Sequence, residues 1–249
     1  MLDLILICIA GFAAGVLNAV AGGGTFLTLP ALIWLGVPPV AANATATLTA
    51  LPGYVGSAWA FRNDLRAQGN LTLPWVLVAS VVGALLGAAL LILTSDRAFE
   101  SLIPWLMLLA TGLFAIGPAL TRSLRKRGIP AAGPTLCFVI FGAVAIYGGY
   151  FNGGLGIMLL AAMGVLGYSD LHAMNGLKNV LSAVLSMTSA VAFVATGLIV
   201  WSAAVPMALS AALGGYIGAR LSKKVPNQDD LRRFITLVGL TMAIVFFLN

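Results

Sequence analysis

The sequence predicts an all-α polytopic membrane protein made of two inverted-topology repeats, with ten helical segments forming about eight transmembrane elements. Three observations lead there. The 249-residue chain is 61% hydrophobic and 8% charged, with mean hydropathy +1.06, whereas a soluble domain carries about 25% charged residues to cover its surface. Glycines recur at one offset: Gly11 with Gly142, Gly22 with Gly153, Gly36 with Gly167, Gly83 with Gly214 and Gly87 with Gly218 lie 131 positions apart. Loops that correspond under that offset carry opposite charge biases, which places them on opposite sides of the bilayer.

Apolar segments fall at about 2–20, 25–36, 39–61, 72–94, 100–120, 133–151, 155–167, 171–196, 199–221 and 231–248. The second and seventh are too short to cross a core of roughly 30 Å comfortably at 1.5 Å per residue. Each follows a glycine cluster, Gly22-Gly23-Gly24 and Gly153-Gly154-Leu155-Gly156. Each repeat therefore opens with a glycine-broken helix or hairpin, followed by three spanning helices. Two arrangements satisfy the parity that inversion requires. In one, 2–36 and 133–167 are re-entrant hairpins; in the other, all ten segments cross. The short second arms favour the hairpins. The domain reading is a first repeat at 1–120, a basic cytoplasmic linker at 121–132 and a second repeat at 133–249.

The charges set the orientation. The linker carries Arg122, Arg125, Lys126 and Arg127, and the loop after 199–221 carries Lys223, Lys224, Arg232 and Arg233 with Asp229 and Asp230. Both belong in the cytoplasm. The counterpart of the latter, Thr94 to Glu100, has only Arg97 against Asp96 and Glu100. Arg62 and Arg66 correspond in turn to an uncharged stretch near Thr196 to Trp201.

The net charge of +6 does not indicate nucleic acid, because the basic residues sit in loops without interleaved aromatics. Cys8 and Cys137 lie inside apolar segments as small hydrophobes. Met1 to Ala21 resembles a signal peptide in its apolarity and small terminal residues, but Asp3 is its only charge. It is read as part of the mature fold.

A glycine run inside a bilayer exposes backbone groups that lipid cannot satisfy, and is tolerated where it lines a cavity. A helix starting there offers N–H groups and a positive dipole end to an anion. Gly22, Gly23, Gly24 and Thr25 at the first break, and Asn152, Gly153 and Gly154 at the second, are candidate substrate-binding residues; Thr25 is an N-cap or a ligand hydroxyl. The glycines at 83, 87, 214 and 218, spaced four apart, are read instead as close-packing positions.

Polar residues follow each break: Asn43, Thr45 and Thr47 in the first repeat, and Asn175, Lys178 and Asn179 in the second. Lys178 is the only basic residue well inside an apolar stretch. A cation at bilayer depth costs roughly 3 kcal/mol or more and usually faces a cavity. Lys178 would supply positive charge to a small anion; alternatively it snorkels or pairs with Asp170. Asp170 and His172 are candidates for proton coupling, against the reading of His172 as an interfacial helix-start residue.

The run Gly-x-x-x-Gly-x-x-Asn-x-x-x-Gly-Gly-Gly-Thr-Phe-x-x-x-Pro from Gly11 to Pro30, then Gly36-Val37-Pro38 and Ala42-Asn43-Ala44-Thr45, resembles the sulfite exporter TauE/SafE family. Asn175-Gly176-Leu177-Lys178-Asn179 is similar to a segment after that family's second glycine break. The resemblance covers essentially the whole chain. It implies a multi-pass bacterial inner-membrane transporter, usually assigned to export, of sulfite, sulfonates, sulfoacetate or related organic anions. Two departures stand out. Leu155 interrupts the second cluster, and Ala161 stands where the first repeat has Pro30, so the half-sites are unequal.

The leading expectation is alternating access around a midplane site at the repeat interface. The expected partners are a small anion, the lipid bilayer, a proton as coupling ion and a second copy of the chain. No cofactor, metal or nucleic acid is called for. A non-transporting membrane subunit is one alternative. A membrane enzyme is another, but one His, two isolated Cys and no His-Glu-x-x-His motif leave it without machinery.

Overall fold

A computed structural model of the protein describes residues 1–20, 22–60, 62, 73–126, 134–166, 171–222 and 228–248. All regular structure among them is helical: α1 (Leu2–Val20), α2 (Thr25–Trp34), α3 (Pro39–Ala60), α4 (Leu73–Leu93), α5 (Asp96–Lys126), α6 (Pro134–Tyr150), α7 (Leu155–Val165), α8 (Leu171–Ala195), α9 (Trp201–Ser222) and α10 (Gln228–Leu248). Each apolar segment of the sequence has its helix. Helix α5 extends beyond its segment at both ends, because Asp96 and Glu100 at its start and Arg122 to Lys126 at its end continue the helix past the apolar run.

Among the described residues, four helices contain windows long and apolar enough to cross a membrane by themselves: Leu2–Ala19, Val76–Leu93, Ala173–Ala195 and Trp201–Arg220. Helix α3 has the length, at 22 residues, but its asparagine and threonines lower its hydropathy.

The helices pair in a pattern that exchanges partners. Helix α1 packs along α9, α6 packs along α4, and α3 and α8 pack on each other. Small residues permit this closeness. A Cβ on Gly215 would lie 2.6 Å from the Gly53 carbonyl oxygen, and one on Gly218 would lie 2.7 Å from Val16 Cα. On the other side, a Cβ on Gly83 would sit 2.5 Å from Ala145 Cβ, and one on Gly87 would sit 2.6 Å from Tyr150 N. The close-packing role expected of glycines 83, 87, 214 and 218 is what the structure shows. Away from these contacts, Val78, Val82 and Leu86 of α4, and Leu209, Leu213 and Ile217 of α9, are exposed at steps of four. Such faces suit an apolar surrounding such as lipid.

Two apolar clusters flank the helix breaks. One gathers Phe26, Leu29, Phe99, Phe151, Phe193 and Met207; the other gathers Phe141, Leu155, Leu159, Met163, Leu181 and Leu185. The breaks lie against both, since Phe26 and Phe151 belong to the first cluster and Leu155 to the second.

Candidate functional site: two helix breaks in contact

The chain between α1 and α2 turns at Gly22, whose φ is +88°, and that between α6 and α7 at Gly154, whose φ is +74°. Residues with a Cβ rarely adopt this left-handed conformation. The breaks touch. A Cβ on Gly22 would lie 2.9 Å from Gly156 N, and one on Gly154 would lie 3.3 Å from Phe26 Cζ. Gly24 precedes α2 and Gly154 precedes α7, and no side chain caps either helix. Backbone carbonyls take most of the leading N–H groups instead: Phe26 and Leu27 donate to the Gly23 and Gly24 carbonyls, and Leu155 and Ile157 to those of Asn152 and Gly154. Thr25 is the first residue of α2 rather than its N-cap, which corrects that part of the expectation; its hydroxyl is buried without a partner.

Side chains from distant segments hold the helix ends in place. The Gly24 N–H donates to Asn18 Oδ1 at 2.7 Å. Lys178 is fully buried, and its Nζ donates to the Asn18 carbonyl at 3.1 Å and the Ala19 carbonyl at 3.4 Å. These carbonyls end α1, where the dipole is negative, so the ammonium is stabilised there. Neither snorkelling nor, among the described residues, an ion pair with a carboxylate accounts for Lys178. Asp170 lies outside the described residues.

The second break has a matching support. Asn43 Nδ2 donates to the Tyr150 carbonyl at 2.9 Å, at the end of α6. Ala19 and Tyr150 are themselves 131 positions apart. Thus α8 holds the end of α1 with a cation, and α3 holds the end of α6 with an amide. The Tyr147 hydroxyl adds a bond to the Gly153 carbonyl at 2.7 Å.

One tyrosine joins the breaks. The Tyr54 hydroxyl lies 3.2 Å from Asn152 Oδ1 and 3.4 Å from Asn18 Oδ1, so one proton serves two long contacts. Asn152 Nδ2 donates to Ser186 Oγ at 2.8 Å, which ties the second break to α8.

The remaining candidates divide into bonded and unbonded groups. Thr47 donates to the Asn43 carbonyl, and Thr45 accepts the Val200 N–H at 3.0 Å, so Thr45 anchors the start of α9. Asn43 Oδ1, Asn175 Oδ1 and both amide atoms of Asn179 are buried with no partner. His172 begins α8. Asn18, Tyr54, Tyr147 and Ser186 are members of this junction that the sequence reading did not select. A signal existed for Tyr54, because Asn43, Thr47, Tyr54 and Ser57 share one face of a helix.

The chain matches the sequence profile described as Sulfite exporter TauE/SafE over residues 7–246. The chain belongs to this family. A probable membrane transporter protein of Haemophilus influenzae is 30% identical over 223 residues, covering 87% of this chain and 84% of the relative. The probable membrane transporter protein YfcA of Escherichia coli K12 is 26% identical over 234 residues, 92% of this chain and 84% of its own. A probable membrane transporter protein of Sinorhizobium is 24% identical over 242 residues, 97% of this chain and 91% of its own. This TauE/SafE protein is a multi-pass transporter of the bacterial inner membrane and not an enzyme.

Proposed function

We propose that this TauE/SafE protein exports a small anion, such as sulfite, a sulfonate, sulfoacetate or a related organic anion, by alternating access. Its site would be the junction of the two breaks near the bilayer midplane. The observation that carries the reading is the contact between Gly22 and Gly156 beside the buried Lys178. Two helix N-termini without side-chain caps, the Lys178 cation, and the unpartnered Thr25 hydroxyl and Asn43 Oδ1 lie at the two breaks. An oxygen-rich anion would accept from the Lys178 ammonium and the Thr25 hydroxyl. The unpaired Asn43 Oδ1 is an acceptor and calls for a donor, such as water or a proton on the ligand.

The reading includes two inverted repeats, 1–120 and 133–249, joined by 121–132, with the two openings as hairpins and about eight transmembrane elements. The exchange of packing partners supports it, as does the offset of 131 between the carbonyls of Ala19 and Tyr150. Several charges behind the orientation, including Arg66, Arg127, Lys223 and Lys224, lie outside the described residues. Coupling to protons through Asp170 and His172, and pairing with a second copy of the chain, complete the proposal.

The test is uptake into proteoliposomes of sulfite, thiosulfate, sulfoacetate, taurine and short carboxylates, with and without a pH gradient. Saturable uptake of at least one of these anions is expected. Protein that folds but moves none of them contradicts the reading.

One observation favours a second reading, in which Lys178 is structural: both its bonds go to carbonyls of α1. Lys178→Ala separates the two. Loss of transport per folded molecule, even where stability also falls, assigns Lys178 to the anion. Loss of stability with normal transport per folded molecule assigns it to α1.

A further inference from the structure

We propose that the polar face of α8 is the track along which the anion moves, with the hydroxyls of Ser182 and Ser189 as contacts beyond the helix breaks. This rests on the transporter reading above. Asn175, Asn179, Ser182, Ser186 and Ser189 follow one another at alternating steps of four and three, which places them on one side of a helix. From Asn175 to Ser189 the face rises ~21 Å at 1.5 Å per residue, most of a ~30 Å hydrocarbon core. Met187, Val191 and Val194 lie exposed on other faces of α8, suited to lipid.

What marks this face is that several unpaired polar atoms share it, whereas among the described residues Ser80 on α4 and Thr111 on α5 are single unpaired hydroxyls on their helices. A hydroxyl in an apolar helix normally bonds a carbonyl one turn back. Thr188 on the same helix does so at 2.8 Å, as do Thr47 at 2.9 Å, Ser57 at 2.7 Å and Ser210 at 3.0 Å. Ser182 and Ser189 do not; both are fully buried, and their Oγ atoms have no partner among the described residues. Asn179 is equally buried with both amide atoms unpaired. Unpaired polar groups in a membrane interior are costly. The unpaired donors of Asn179, Ser182 and Ser189 on one face are explained together by an anion that visits them in turn, while the Oδ1 atoms of Asn175 and Asn179 call for a proton on the ligand or on water.

The face also passes both breaks. Lys178 lies next to it and reaches the end of α1, while Ser186 holds Asn152 beside the second glycine cluster. The one buried cation described there stands among neutral amides and hydroxyls. That complement suits a singly charged oxoanion, such as hydrogen sulfite or a sulfonate, since a second negative charge would be uncompensated.

The test uses the full chain in proteoliposomes, with hydrogen sulfite and methanesulfonate, both singly charged, as transported probes. The S182A/S189A double variant should unfold at the wild-type temperature, because no partner is left unpaired. Its uptake should fall about tenfold or more, since hydrogen bonds to a charged ligand are lost. In a background lacking Cys8 and Cys137, S182C and S189C should react with a charged methanethiosulfonate at least about tenfold faster than V191C on the lipid face. Normal uptake by the double variant overturns the track, and so does an absence of labelling at both positions. If wild-type protein moves neither probe, the transporter reading for these anions fails first. If it moves one while the variants behave as wild type, the track alone fails.

Discussion

At the first break, the end of α1 is held by the ammonium of Lys178; at the second, the end of α6 is held by the amide of Asn43. The frames are alike: a left-handed glycine, an uncapped short helix, and a donor reaching in from a distant helix. The chemistry is not. An ammonium at a helix C-terminus brings a full charge that the dipole offsets only in part. An amide brings none, but it leaves its Oδ1 unpaired in the junction. The junction is thus asymmetric, with charge from one side and neutral hydrogen-bonding groups from the other.

The largest expected effects come from filling the breaks. Gly22→Ala meets both an unfavourable φ, at about 1–2 kcal/mol, and the Gly156 backbone at 2.9 Å. We expect it to destabilise by about 3 kcal/mol in detergent unfolding, with overpacking included. Gly36→Ala shares the positive φ at +81° but has nothing within 4 Å, and should cost only about 1–2 kcal/mol. Equal losses at the two positions would mean that the breaks do not touch.

Next come the donors. Lys178→Met should cost about 1.5–3 kcal/mol and Asn43→Leu about 1 kcal/mol, because bonds from charged donors are the stronger. A larger loss at Asn43 would reverse the comparison. Tyr54→Phe removes the hydroxyl shared by Asn18 and Asn152, and its long contacts limit the loss to roughly 0.5–1 kcal/mol. The smallest effect on transport is expected at Thr45→Val. It strips the acceptor from the Val200 N–H and should lower stability by about 1 kcal/mol. Sulfite uptake per folded molecule should not change, because Thr45 serves the start of α9 rather than the anion.

The difference between the breaks was only partly legible in the chain. Hydropathy located all ten helices, because apolar runs in this protein end where charged or glycine-rich stretches begin. The breaks announced themselves through Gly22-Gly23-Gly24 and Gly153-Gly154, and Lys178 stood out as a charge in an apolar run. The partners of these groups did not show. Lys178 bonds a carbonyl 160 residues away in the chain, and backbone acceptors leave no trace in residue identity. Thr45 looked like Thr47 and Thr25 in sequence, yet one anchors a loop, one bonds its own helix and one remains unpaired. Helical rotation decides among them, and an isolated threonine does not report it.

The asymmetry can be tested by removing it. Lys178→Gln replaces the charge with an amide, so the junction becomes neutral on both sides; the amide is shorter than the lysine, and part of the support for α1 is lost with the charge. Sulfite uptake into proteoliposomes should then fall at least about tenfold, as expected when a charge-assisted contact to the ligand is lost, in protein that still unfolds cooperatively. Wild-type uptake by that variant would contradict the account: the charge at the first break would belong to the fold and not to the anion.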